Sequence, residues 1–160
     1  MQVSLLYRRT AEVDVRLLHL LEDHLVSEGY TVFIDRHMSI GVEWAQEIET
    51  QIRASDVVVV LLSESSMHSE MVEHELTIAQ EAAQQQDGTP RIVSVRVDYD
   101  GPFPQQIVNV VDPLPQVTWT GPDDDASLLS NVSAYVRAPI GGALHEFPAL
   151  RACCAFLISK

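Results

Sequence analysis

Six consecutive apolar residues, Val57-Val-Val-Val-Leu-Leu62, constrain this chain more than any other feature. A strand with one face in water alternates apolar and polar residues, whereas an unbroken run calls for cover on both faces. The polar pair Ser55-Asp56 precedes the run and a polar loop from Ser63 to His68 follows it, so it has the length of a strand. The run therefore predicts a central strand of a parallel sheet, with helices on both sides.

The flanking pattern agrees. Val3-Ser-Leu-Leu-Tyr7 reads as a strand, and Val13, Leu17, Leu20, Leu21 and Leu25 then recur at helical spacing until Gly29 supplies a stop. Tyr30 to Ile34 forms a second strand and Asp35 to Gly41 a polar loop, after which Trp44, Ile48 and Ile52 lie four apart on a short helix. Beyond the central run come a helix from Ser69 to Gln84, a turn at Asp87-Gly-Thr-Pro90 and a strand from Ile92 to Val97. Pro102 to Pro115 reads as a loop with one helical turn around Ile107 to Val111, followed by a short strand from Gln116 to Thr120. Asp123-Asp-Asp125 opens a last helix to Arg137, its acids suited to the helix N-terminal dipole. Repeated strand–helix alternation of this kind gives an α/β fold whose ligands sit beyond the C-terminal strand ends.

At 160 residues, with 46% apolar and 21% charged, the chain has the size and composition of one globular domain. A formal charge of −13 argues against nucleic acid and anionic membrane as bulk partners, although local arginines can still hold a small anion. The only cysteines, Cys153 and Cys154, are adjacent and poorly placed to staple a fold or build a metal knuckle, which points to a reducing compartment. No signal-peptide pattern opens the chain, and the apolar stretch Phe147 to Ile158 is too short to span a bilayer and contains Arg151. A cytoplasmic, soluble protein is expected. Residues 1–137 form one domain, and 138–160 read as a linker or the start of a further C-terminal region.

Glu75 is the residue that the helical pattern singles out. At about 100° per residue, Met71, Val72, Leu76, Ile78, Ala79, Ala82 and Ala83 fall within an arc of roughly 160°, with Glu75 near its middle. A carboxylate on an apolar face needs a partner or a task. An ion pair with Arg8 or Arg9 would supply the first; a catalytic role is the second. Arg8 and Arg9 follow the first strand, where two guanidinium groups would hold a pyrophosphate or neutralise nearby acids. Trp44 fits either core packing with Ile48 and Ile52 or a wall on which a base stacks. The histidines 19, 24, 37, 68, 74 and 145 show no metal-ligand spacing, and no phosphate-cradling Gly-rich loop or nucleophile elbow occurs.

These segments resemble a known family in sequence order. Val3 to Arg9 is similar to the opening of a TIR domain, an apolar strand running into Tyr-Arg-Arg, and Gly29 to Asp35 to its second strand. Arg36-His-Met-Ser-Ile-Gly-Val-Glu-Trp44 resembles the BB loop, with its Gly and following aromatic. Ile52 to Ser63 matches the approach to the third strand, and Ser69-Glu-Met-Val-Glu-His-Glu-Leu76 the Ser-x-Trp-Cys-x-x-Glu-Leu helix start. Met71 and Val72 replace the frequent Trp-Cys, and Leu5 stands where Ser is common. The likeness covers roughly residues 2–137.

The resemblance implies a flavodoxin-like three-layer fold with a five-stranded parallel sheet. It also implies membership of the bacterial-type NAD+-consuming branch, with Glu75 catalytic and Tyr7, Arg8, Arg9, Asp35, Gly41, Trp44 and Ser69 binding substrate. Cleavage of the nicotinamide–ribose bond would release nicotinamide and ADP-ribose or a cyclic variant, with NAD+ as substrate and no cofactor or metal. Other TIR domains are the implied partners, assembly being driven by a C-terminal sensor or oligomerisation domain outside this sequence, in signalling or defence. A non-enzymatic TIR adaptor is the rival reading. A phosphorelay receiver is disfavoured, because Tyr7-Arg8 and Leu62-Ser63 stand where its acidic cluster and phosphorylated Asp would be.

Overall fold

The computed structural model describes residues 1–36, 41–112 and 114–139. Strand β1 (Gln2–Leu6) leads through helix α1 (Glu12–Ser27) to β2 (Thr31–Ile34), and α2 (Val42–Ala54) leads on to β3 (Val57–Leu62). Helix α3 (Glu70–Gln85), β4 (Arg91–Val97), α4 (Gln105–Val111), β5 (Gln116–Trp119) and α5 (Asp125–Arg137) complete the order. The strands form one parallel sheet in the order β2-β1-β3-β4-β5. The all-parallel sheet is the one expected from the alternation, and its order is the flavodoxin-like arrangement that the family resemblance implies, with β3 at its centre.

The composition of β3 follows from its place. Val57, Val59 and Leu61 enter the layer closed by α1 and α5, while Val58, Val60 and Leu62 enter the layer closed by α2, α3 and α4. Successive strand side chains point to opposite faces, so both sets are apolar because both faces are covered. All six are fully buried. Truncating Leu61 to Ala is expected to cost about 2–5 kcal/mol, measured as a lower denaturant midpoint at unchanged slope.

Helix α1 departs from the sequence reading in one respect. Its buried stripe is Leu17, Leu18, Leu21 and Leu25, whereas Val13 is 42% exposed and Leu20 only partly covered. One turn earlier the stripe continues through Asp14, which is buried and accepts the Arg8 backbone N–H on Oδ2 at 3.2 Å. The acid occupies that place because it receives the chain leaving β1. Gly29 ends the helix as expected, at φ 90°, with Tyr30 N–H donating to the Leu25 carbonyl and Gly29 N–H to that of Val26.

Toward the C-terminus the expected single turn is the seven-residue α4, which buries Ile107 and Val111. The acidic run enters α5 through a 3₁₀ turn at Pro122–Asp124. Asp124 then accepts from Thr120, and Asp125 from the Trp119 indole at 2.8 Å and from Arg16. The last described helix ends at Arg137. Most of the expected 138–160 linker, including His145 and both cysteines, lies outside the described residues, as do His37 and the rest of the loop at 37–40. Among the described residues no helix is long and apolar enough to cross a membrane.

Candidate active site

Strands β1 and β2 are parallel neighbours, with Leu5 beside Ile34. Their continuations, Tyr7-Arg8-Arg9 and Asp35, therefore leave the sheet side by side at its C-terminal edge. Helix α3 packs against β1, and α2 starts just past the same edge. Between them lies an open cavity of about 270 Å³, lined by seven of the eight residues that the sequence reading had put forward. The eighth, Gly41, is the exposed N-cap of α2 and is not among the lining residues.

Glu75 is the chemically unusual group. Helix α3 buries Val72, Leu76, Ile78, Ala79 and Ala82 along with it, and Glu75 itself is only 4% exposed. Among the described residues its carboxyl makes no hydrogen bond and no salt bridge. Burial in apolar surroundings pushes its pKa from 4.5 up to about 7, and the Arg9 guanidinium offsets part of that rise. The ion pair that would have made Glu75 a structural residue is thus not formed. Met71, counted on the same apolar face, is 37% exposed and stands in the cavity wall.

The two arginines diverge. Arg9 forms an ion pair with Asp35, and its guanidinium lies 5.6 Å from the centre of the Trp44 ring. Arg8 turns the other way, donating from Nε to Thr10 Oγ1 at 3.0 Å and from Nη1 to the Ser65 carbonyl. A fork made by both side chains on one pyrophosphate is therefore not preformed. Asp35 is buried at the end of β2 and accepts the Trp44 indole N–H on Oδ1 at 3.0 Å. Its backbone carbonyl receives the Tyr7 hydroxyl at 3.4 Å. The Tyr7 hydroxyl is pushed up, chiefly by burial, against the lowering effect of Arg9 and Arg36.

Trp44 packs against the layer that holds Ile48 and Ile52, as one of its two sequence readings expected, and it also lines the cavity. Ser69 caps α3, its hydroxyl accepting the Val72 N–H at 3.5 Å, and also lines the cavity. Leu5 and Thr10 complete the wall. Sequence reasoning did not pick out Asp14, whose only signal was an acid at helical spacing ahead of Leu17, Leu18 and Leu21. Among the described residues no cluster of three or more His, Cys, Asp or Glu side chains could hold a metal ion.

Comparison with known proteins supplies a frame for this site. A family model described as TIR domain matches residues 4–129. No curated protein matches the chain in sequence. Among solved structures, the TIR domains of the activated Roq1 resistosome, which directly recognizes the pathogen effector XopQ, share 24% identity at a TM-score of 0.51. That match covers 62% of this chain, which spans only 58% of the Roq1 chain. The CMP N-glycosidase BcmB of Clostridium botulinum aligns over 84% of this chain and 99% of its own, with 14% identity and a TM-score of 0.61. The TIR domain of the Toll-related receptor TRR-2 from Hydra magnipapillata aligns over 85% and 98%, with 18% identity and a TM-score of 0.62. At such identities the likeness is one of fold.

Proposed function

The chain belongs to the TIR-domain family, and on that footing we propose that its cavity cleaves the nicotinamide–ribose bond of NAD+. The observation that carries this reading is Glu75, a buried carboxyl without a partner among the described residues, facing an open cavity at the sheet's C-terminal edge. No described residue gives this group a structural task, and its chemistry suits a ligand that brings positive charge. Nicotinamide in NAD+ is a cation that departs as a neutral base, so cleavage needs no general acid. What needs stabilising is the oxocarbenium-like ribose. Ionised Glu75 faces that charge and accepts hydrogen bonds from the ribose hydroxyls.

The remaining wall has parts to play in the same reading. Trp44 offers a ring for stacking, and Arg8 and Arg9 lie at the mouth, where a diphosphate would pass. Tyr7, Asp35 and Ser69 shape the pocket. The cavity is open and, at about 270 Å³, just under the roughly 300–1,000 Å³ of sites that enclose a drug-sized ligand; in this reading it takes the nicotinamide–ribose half of the dinucleotide. A second TIR domain would cover the other half, and TIR domains sit together in an assembly in the activated Roq1 resistosome. The fold relative BcmB is a CMP N-glycosidase, so this architecture accommodates cleavage of an N-glycosidic bond. Water as acceptor gives ADP-ribose; an adenine nitrogen or ribose hydroxyl gives a cyclic product.

Incubating concentrated protein with NAD+ and separating the products by chromatography tests the reading. Nicotinamide with a linear or cyclic ADP-ribose supports it. Intact NAD+ in the presence of assembled protein would favour an adaptor acting through TIR–TIR association. The pH profile is a second check. Only the ionised carboxyl stabilises the ribosyl cation, and Glu75 titrates near 7. The acid limb of kcat/KM is therefore expected to centre near pH 7 rather than near 4.5, with activity lost on acidification. Bound cationic nicotinamide favours the carboxylate, so the corresponding limb of kcat should lie lower.

A further inference from the structure

We propose that Asp35 is a positioning residue that holds the Arg9 guanidinium against the Trp44 ring and withholds its charge from the Glu75 carboxyl. Asp35 stands where three walls of the cavity meet. One carboxylate oxygen accepts the Trp44 indole N–H at 3.0 Å, the other pairs with Arg9, and the backbone carbonyl takes the Tyr7 hydroxyl. Arg9 is thereby fixed with its guanidinium 5.6 Å from the Trp44 ring centre. A buried acid joining the end of β1 to the start of α2 in this way sets where both side chains stand.

The electrostatic consequence concerns Glu75. Arg9 comes from the segment after β1, as does the neutral Tyr7 hydroxyl; Asp35 follows β2, and α2 contributes the uncharged Trp44. Arg8 spends its guanidinium on the Ser65 carbonyl and on Thr10. Among the described residues Arg9 is therefore the cation that acts on Glu75, and the Asp35 carboxylate paired with it opposes that charge. Were Arg9 released, it would be drawn to the one buried carboxyl that has no partner among the described residues, and a salt bridge would occupy the group meant for the substrate. Asp35 keeps Glu75 open to an incoming cation. The inference rests on Glu75 as the reactive group, but its test needs no substrate, so it can fail while NAD+ cleavage stands, and the reverse.

The experiment is an NMR titration of side-chain carboxyls in substrate-free protein, with the Glu75 signal assigned by its loss in Glu75→Gln. In Asp35→Asn the amide oxygen still accepts the Trp44 N–H, but the charge opposing Arg9 is gone. The Glu75 midpoint should fall by about one pH unit or more, with the Trp44 indole N–H resonance close to its wild-type position. The double variant Arg9→Gln/Asp35→Asn should restore the midpoint. Arg9→Gln alone covers the case in which Asp35→Asn does not fold, and should raise the midpoint by less than about half a unit, because the charge removed was already opposed. An unchanged midpoint in Asp35→Asn, a fall that persists in the double variant, or a rise of a full unit in Arg9→Gln would each overturn the proposal.

Discussion

Glu75→Gln is expected to stop NAD+ consumption while making the folded protein more stable at neutral and alkaline pH. The two effects share one cause. The amide keeps the shape and hydrogen-bonding reach of the carboxyl but carries no charge, so it cannot stabilise the ribosyl cation. A loss of 10²–10³-fold or more in turnover is the scale seen when one electrostatic stabiliser is removed. Stability moves the other way because burial disfavours the carboxylate. The folded-state pKa of about 7 lies above the ordinary 4.5, so the protonated group costs nothing below pH 4.5. The penalty grows as pH rises and is complete above about 7. Moving the midpoint over that interval corresponds to about 3 kcal/mol, or roughly 10 °C in Tm for a domain of this size. The two proteins should unfold together near pH 4 and separate progressively up to pH 8. A variant less stable than wild type at pH 8 would mean that Glu75 is held by a partner; retained turnover would remove it from the chemistry.

A hundredfold dilution should lower the specific activity by well over tenfold. In the proposed mechanism the open cavity takes one half of the dinucleotide and a second copy completes the site. With a formal charge of −13, copies repel one another, and the monomer should dominate at micromolar concentration. Below the dissociation constant the dimer population rises as the square of concentration, so activity per chain rises in proportion to concentration. Added salt screens the repulsion, with a Debye length of about 10 Å at 0.1 M, and should raise activity at fixed protein concentration. Crowding agents or clustering on a surface should do the same. Progress curves across the dilution series, paired with light scattering, check this. Constant specific activity from a monomer would place the whole site in one chain.

Much of the architecture could be read from residue order because it depends on period and punctuation. The unbroken Val57–Leu62 run placed the central strand, since only cover on both faces makes six consecutive apolar residues sensible. Gly29 placed the end of α1, because a left-handed stop favours glycine. Glu75 stood out for the same kind of reason, a charge in the middle of an apolar helical arc. The match of residues 4–129 to the TIR model shows that the motifs, modest one by one, were informative in their order.

What the sequence could not decide is which groups pair across the fold. Helical spacing suggested Val13 for the buried face of α1, whereas the buried acid Asp14 lies there, because the backbone leaving β1 needs an acceptor at that point. Arg8 and Arg9 are adjacent in the chain and fitted either one anion-binding unit or the neutralisation of nearby acids; in the fold they diverge, and Arg9 pairs with Asp35. Asp35 and Trp44 are separated by a loop and read as independent residues, but the fold joins them by a hydrogen bond and brings Arg9 to both. Period and propensity are local, so one sequence suffices to read strands, helices and an apolar face interrupted by a carboxylate. The partner of each charge depends on which strand ends lie side by side. The order β2-β1-β3-β4-β5 sets this by bringing residues 7–9, 35, 44 and 75 to one edge, and there it pairs Arg9 with Asp35 and leaves Glu75 to face the cavity.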